Sequence, residues 1–290
     1  LMMIGWANLG SMGLGDYPRA IKHLEAGLAI AQAADLAWHI GPLRIAQDHI
    51  RQCLGEFGAA WQGLNETLKH LETLNLVRYQ IMAHNMLGHL LLDLALDAKA
   101  SEAFDRGLDI ARQAGITYWT PLLRANRAIA LARQGALDIE PELVSALEQS
   151  LQNREGWFLP RCYEGLAELQ LRRGDHVQCR HYADQLLSLG EQDNLRESIA
   201  RAHRWRGEAM LASGNPEAAA AELGIALAAS EQLGTPRLSW DIHRTLTQVA
   251  RETRRSDEAK QHEAAARDIE KRIKANLRGS DLEIGLGKLN

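Results

Sequence analysis

The chain has 290 residues, of which 46% are hydrophobic and 24% charged, and its net charge is −4. A balance this close to neutral argues against a nucleic-acid or membrane surface as a direct partner. The three cysteines, Cys53, Cys162 and Cys179, lack metal-ligand spacing and fit a reducing, cytoplasmic setting. The longest apolar run, 86–96, is broken by His89 and Asp93 and falls short of a bilayer span.

Residues 1–14, LMMIGWANLGSMGL, open the chain with no preceding positive charge, so they read as a helix and not as a signal peptide. A solenoid end needs a polar outer face, and this one is apolar. The expectation is that a further repeat or module of a parent chain precedes it. The isolated chain is then expected to self-associate through Met2, Met3, Ile4, Trp6 and Leu9.

Beyond that start the chain repeats. Gly15, Gly55, Ala95, Gly135, Gly174, Gly214 and Arg254 recur at intervals of 39 or 40 residues. Five residues after each come Ala20, Ala60, Ala100, Glu140, Cys179, Ala219 and Ala259, and four further on Leu24, Leu64, Phe104, Val144, Ala183, Leu223 and Glu263. The clearest copy, 207–236, reads as a helix end, a Gly214-Asn215-Pro216 turn and a second helix stopping near Gly234. Gly frees the backbone at the stop, and Pro costs nothing at a helix start. Ala219, Leu223 and Ala226 share one helix face, and small residues there allow close helix approach. The pattern predicts an all-α, right-handed superhelical solenoid of about seven helix-turn-helix repeats. The units are 1–37, 38–77, 78–117, 118–156, 157–195, 196–235 and 236–275, forming one solenoid over 1–276 with a flexible tail at 277–290. In the second unit the first helix is expected near 41–54. In the fourth, Pro141 is expected to open the second helix with Asp138 as its cap.

The small residues at Leu87-Gly88 and Arg206-Gly207, and the Ala100/Phe104 and Ala219/Leu223 pairs, make the pattern resemble the tetratricopeptide repeat. HEAT and armadillo repeats share the longer period, but not these small-residue positions. The resemblance implies that the first helix of each unit lines a concave groove. Carried onto this phase, it places Met82, Asn85, His89, Leu122, Ala125 and Ile129 in the middle of that groove. Toward the C-terminus come Arg161, Glu164, Glu168, Arg201, Arg204, Glu208, Asp241, Arg244 and Gln248. Of these, Asn85, His89, Arg161, Glu164, Arg201, Arg204, Asp241 and Arg244 are the candidate ligand-binding residues. Two readings stay open: the arginines hold a carboxylate by paired bonds, or Arg161, Glu164, Arg201 and Asp241 pair among themselves.

Residues 235–277, with Pro236, Trp240, His243, Leu246 and Glu258-Ala259, further resemble the closing repeats of large, MalT-like bacterial signalling ATPases. In these a cyclase, kinase or DNA-binding module precedes the repeats. That likeness implies a regulatory or sensor arm that binds a protein, a peptide or another module of its parent. A free-standing peptide adaptor is the alternative, and an α-helical enzyme built around His84 and His89 is a third reading.

Catalytic and metal signatures are missing from the sequence. His84/His89 and His176/His181 are five apart, which turns them away from one another on a helix. There is no HExxH, phosphate-binding loop or nucleophile elbow, so the expectation is no catalytic residue, no metal and no cofactor. Glu164/Glu168 and Asp257/Glu258 read as solvated helix faces. Trp38, Tyr79, Trp119, Trp157 and Trp240 fall where one unit meets the next and read as packing wedges.

Overall fold

Each turn in the chain is made by a residue in the left-handed backbone region, and these residues set the architecture. In the computed structural model, which describes residues 15–154 and 156–282, the first-to-second-helix turns sit at Gly15, Gly55, Ala95, Gly135, Gly174, Gly214 and Arg254, all with φ between 55° and 102°. They are the same seven residues that mark the repeat in the sequence. A second set, Asp35, Asn75, Gly115, Arg154, Asn194 and Gly234, turns the chain from one unit into the next. Side chains with a Cβ are strained in this region, and glycine is not. The non-glycine members, Ala95 and Arg254 included, are therefore set by the flanking helices, whose ends close the turn with backbone bonds such as Leu96 N–H to the Leu91 carbonyl at 2.9 Å.

Thirteen α-helices fill the described residues, and no strand occurs among them. They are α1 Tyr17–Ala33, α2 Ala37–Cys53, α3 Phe57–Thr73, α4 Val77–Asp93, α5 Asp97–Ala114, α6 Thr120–Arg133 and α7 Glu140–Gln152. After a short 3-10 turn, Gly156–Phe158, come α8 Leu159–Arg173, α9 His176–Asp193, α10 Arg196–Ala212, α11 Pro216–Leu233, α12 Pro236–Glu252 and α13 Ser256–Asn276. Consecutive helices pack on one another throughout, which makes the molecule a helical-repeat solenoid. α11 starts at Pro216 with Asn215 as its cap and stops before Gly234 in the left-handed region. α2 begins at Ala37, four residues earlier than the sequence suggested, and runs through Pro42. α7 carries Pro141 in its first turn, but its cap residue is Ile139 and Asp138 makes no cap bond.

The small positions do what close packing demands. A Cβ on Gly88 would overlap the Phe104 ring, and one on Gly207 would come within 2.6 Å of Leu223. One repeat earlier than Gly88 the same position is Asp48, almost fully buried. It fits because the facing residue on α3 is Gly63, where any Cβ would overlap the Asp48 carboxylate. Burial pushes the Asp48 carboxyl up to about 6, overriding its partner Arg51 at 2.8 Å. A carboxyl whose folded pKa lies above its unfolded value of about 3.9 keeps a proton that the unfolded chain releases. Stability is then lost as pH rises from about 4 to about 6 and stays lower above. Asp48→Asn is expected to raise stability at pH 8 by up to about 3 kcal/mol and to change it little at pH 4. Thermal unfolding at both pH values checks this, and an equal shift at the two would refute it.

The solenoid closes on itself. Gly15 lies against Leu233 and Arg196, and Gly55 against Pro236. The Gly58 N–H donates to Asn276 Oδ1 at 2.8 Å across the join. Ile269 and Ile273 of α13 share one buried cluster with Phe57, Ala60 and Leu64 of α3, and Trp240 joins it from α12. The apolar flank of the last repeat, which an open solenoid would have to cap with polar residues, is thus covered by the second repeat. Leu277 and Leu282 are buried in the same cluster, so this part of the expected flexible tail is held by apolar packing. Residues 283–290 and the N-terminal Met2, Met3, Ile4, Trp6 and Leu9 lie outside the described residues.

Of the aromatic register, Trp240 is buried, and Tyr79 and Trp119 pack on the core as wedges. Trp38 and Trp157 stay 51% and 43% exposed and are not the buried wedges the sequence suggested.

Candidate functional site

Closing the solenoid brings the inner faces of the even-numbered helices α2 to α12 together, and those faces are charged. The Tyr17 hydroxyl donates to Glu197 Oε2 at 2.9 Å across 180 residues of chain. Arg201 grips Glu197 at 2.7 Å and Glu164 at 2.9 Å, and Arg161 adds a second bond to Glu164 at 2.7 Å. Arg161 also donates to Asn126 Oδ1, and Asn126 in turn donates to Asn85 Oδ1 at 2.9 Å. Farther along, Arg133 holds Glu168 with two bonds, at 2.7 and 2.9 Å, and Arg172 adds a third contact. Arg204 pairs with Glu208 at 2.6 Å and with Asp241 at 3.0 Å, and Arg237 bonds Asp241 from its other side.

Glu164 and Glu168, expected as a solvated face, are therefore buried, each 4% exposed. Burial works to raise the Glu164 carboxyl, but Arg201 and Arg161 pull it well below the usual carboxylate range. Arg133 outweighs burial in the same way at Glu168. Asp257, by contrast, is solvated as expected, its side chain 92% exposed. Charges survive burial only when paired and hydrogen-bonded, and that requirement fixes the geometry of this ladder.

Five of the eight candidate residues, Asn85, His89, Arg161, Glu164 and Arg201, line a single cavity of about 30 Å³ between α4, α6, α8 and α10. Leu122, Met86, Pro160 and Leu186 supply its apolar wall, and Trp157 is its most exposed lining residue. Arg204 and Asp241 are occupied with one another. Arg244 lies apart, stacked 4.7 Å over the Trp240 ring beside a groove between α12 and α13. Three further lining residues, His49, Asn126 and Ser198, were not singled out in the sequence. Asn126 carried a signal, since it follows Asn85 by 41 residues. His49 carried one too, standing 40 residues before His89, whereas Ser198 carried none, because it joins the site only when the turns close.

His89 Nδ1 lies 2.8 Å from Gln52 Nε2, which also donates to Asp93 Oδ2 at 2.6 Å. Burial first, and then the charge of Arg161, hold the His89 imidazole well below its usual range and therefore neutral. His49 is lowered by burial too, with Glu197 opposing. With Gln52 donating to Nδ1, the His89 proton sits on Nε2. The thiols of Cys162 and Cys179 are pushed up to about 12 by burial, which keeps them in the unreactive thiol form. Among the described residues, no group of three or more His, Cys, Asp or Glu is placed to hold a metal, and no helix is long and apolar enough to cross a membrane.

These features define a helical-repeat solenoid with a charge-paired interior. No family model matches the sequence, and no curated protein matches it. Among solved structures it is similar to BtubC (BKLC) from P. vanneervenii, at 16% identity over 88% of each chain with a TM-score of 0.33. A likeness of that size fixes neither family nor function.

Proposed function

We propose that this chain is a tetratricopeptide-type interaction scaffold, the regulatory or sensor arm of a bacterial multidomain regulator, that binds a protein partner and performs no catalysis itself. The observation that carries the reading is where its exposed apolar side chains lie. Seven of the ten large hydrophobic residues exposed among the described residues fall within five positions of a unit-to-unit turn in the first four repeats, among them Ile30, Leu36, Trp38, Leu74, Leu151 and Trp157. Such turns fall on one edge of a solenoid, so these exposed apolar residues are placed along that edge. Large exposed apolar patches with aromatic anchors mark protein-interaction surfaces. The concave side suits a protein partner less well, since Asn85, Glu164 and Glu168 are buried and the arginines there are engaged.

A photo-crosslinking amino acid placed at Trp38 or at Leu74, in native cells, is expected to give a discrete protein adduct. The same group at Val177, 71% exposed but away from that edge, is expected to give none. Adducts only from Val177, or from none of the three sites, would overturn the docking edge.

A further inference from the structure

The cavity on the inner face has an imbalance that its own ladder does not resolve. Ser198, 1% exposed, has a hydroxyl with no hydrogen-bond partner, and His49, 2% exposed, has an Nδ1 with none. Buried polar atoms left unpaired cost about 1–3 kcal/mol each, and two of them beside one cavity suit a polar occupant. The remaining capacity is mostly on the donor side. Asn85 uses its oxygen toward Asn126, leaving its NH₂ uncommitted. His89, bonded at Nδ1, leaves its Nε2–H. Arg161 bonds through Nε and Nη1 and leaves Nη2. Every lining carboxylate oxygen, both on Glu164, is already taken by arginine.

Donors in excess select a ligand head rich in acceptors. The uncommitted Nη2 of Arg161 gives the cavity a cationic donor, which favours an anionic head there. Leu122, Met86, Pro160 and Trp157 offer an apolar surface for whatever the head carries. About 30 Å³ accommodates a group of a few heavy atoms, about the space of two or three waters. We propose that this cavity binds a small free carboxylic acid, its carboxylate taken by Asn85, His89, Ser198 and Arg161 and its short branched or linear apolar tail lying against Leu122, Pro160 and Trp157. A carboxylate accepts several bonds at once and makes charge-assisted ones to a guanidinium. The site shares only Trp157 with the docking edge, its other lining residues being on the inner face, and it stands whether or not a protein binds at that edge.

The test is calorimetric titration of the full chain with sodium 3-methylbutanoate, with 3-methylbutanamide and with a pentapeptide ending in valine. The acid is expected to bind with a Kd on the order of 1 mM, and the amide at least about tenfold more weakly. Ser198→Val, which fills the cavity, is expected to weaken the acid by about tenfold or more. Trp157→Ala, at a half-exposed position, is expected to weaken it by about threefold and gives a second reading should the buried variant fail to fold. Saturation absent at about 50 mM, an amide as tight as the acid, or affinity unchanged in both variants overturns the site. A peptide that binds more tightly than the acid overturns the free acid as ligand.

Discussion

Ala219→Asp is expected to destabilise the chain by about 4 kcal/mol or more, the largest effect of any single change considered. Ala219 is fully buried, and its cluster contains Leu223, Ala226 and Ala200 from the same two helices. The approach of α10 to α11 is set by the absence of side chain at Gly207, whose Cβ would lie 3.3 Å from the Ala219 carbonyl. A carboxylate introduced there loses its hydration, while Arg201 and Arg204 are engaged on the inner face and Arg206 with Asp184 and Glu222. Added volume compounds the cost, because a core at native density repacks only with strain. Urea unfolding measures the difference. Ala221→Asp, two residues on and exposed, is the control and is expected to lie within about 0.5 kcal/mol of the parent. If the two variants unfold together, α11 does not face the core as described.

The repeat was legible in the sequence because its cause is local. A left-handed turn asks for glycine, a tight helix crossing asks for alanine or glycine, and both demands recur with each unit. Hence Gly15 to Arg254 could be counted before any helix was placed, and Gly88 and Gly207 could be matched with Phe104 and Leu223. Asp48 with Gly63 is the same crossing solved in reverse, large on the first helix and small on the second. Closure of the solenoid was not legible. It depends on small rotations added over several repeats, and it joins Tyr17 to Glu197 and Gly58 to Asn276, pairs with no common spacing. For this reason the inward stripe through Asn85, His89, Arg161, Glu164 and Arg201 could be drawn, while its burial could not. Glu164 and Glu168 look like surface residues to any reading that weighs one helix at a time. Only the arrival of Arg133 and Arg201 from neighbouring units makes them interior. The same ignorance of neighbours hid Ser198, and left Trp38 and Trp157 undistinguished from Trp240.

The ladder itself gives the second large effect. Glu168→Leu leaves Arg133, largely buried, and Arg172 without their carboxylate, and is expected to cost about 3–5 kcal/mol. The loss comes chiefly from a buried cation left with only the more distant Asp97, at 3.9 Å, and the Leu92 carbonyl. Replacing both partners, Arg133→Leu with Glu168→Leu, is therefore expected to be less damaging than the single change, since the double variant removes the buried guanidinium and leaves only Asp97, 3.9 Å from it in the parent, without a partner there. Acid gives an independent handle on the same pair. Arg133 holds the folded Glu168 carboxyl at about 2, overriding burial, which is below the unfolded value of about 4.3. A depressed carboxyl contributes stability that is present above the unfolded pKa and lost as pH falls toward the folded one. The parent should thus lose this contribution between about pH 4 and about pH 2, and the Glu168→Leu variant, having no carboxyl to titrate, should show a shallower acid limb. Chemical denaturation of the parent, both single variants and the double at pH 7 and pH 3 completes the cycle. A double variant no more stable than Glu168→Leu, together with parallel acid limbs, would mean that the pair contributes nothing beyond its two side chains.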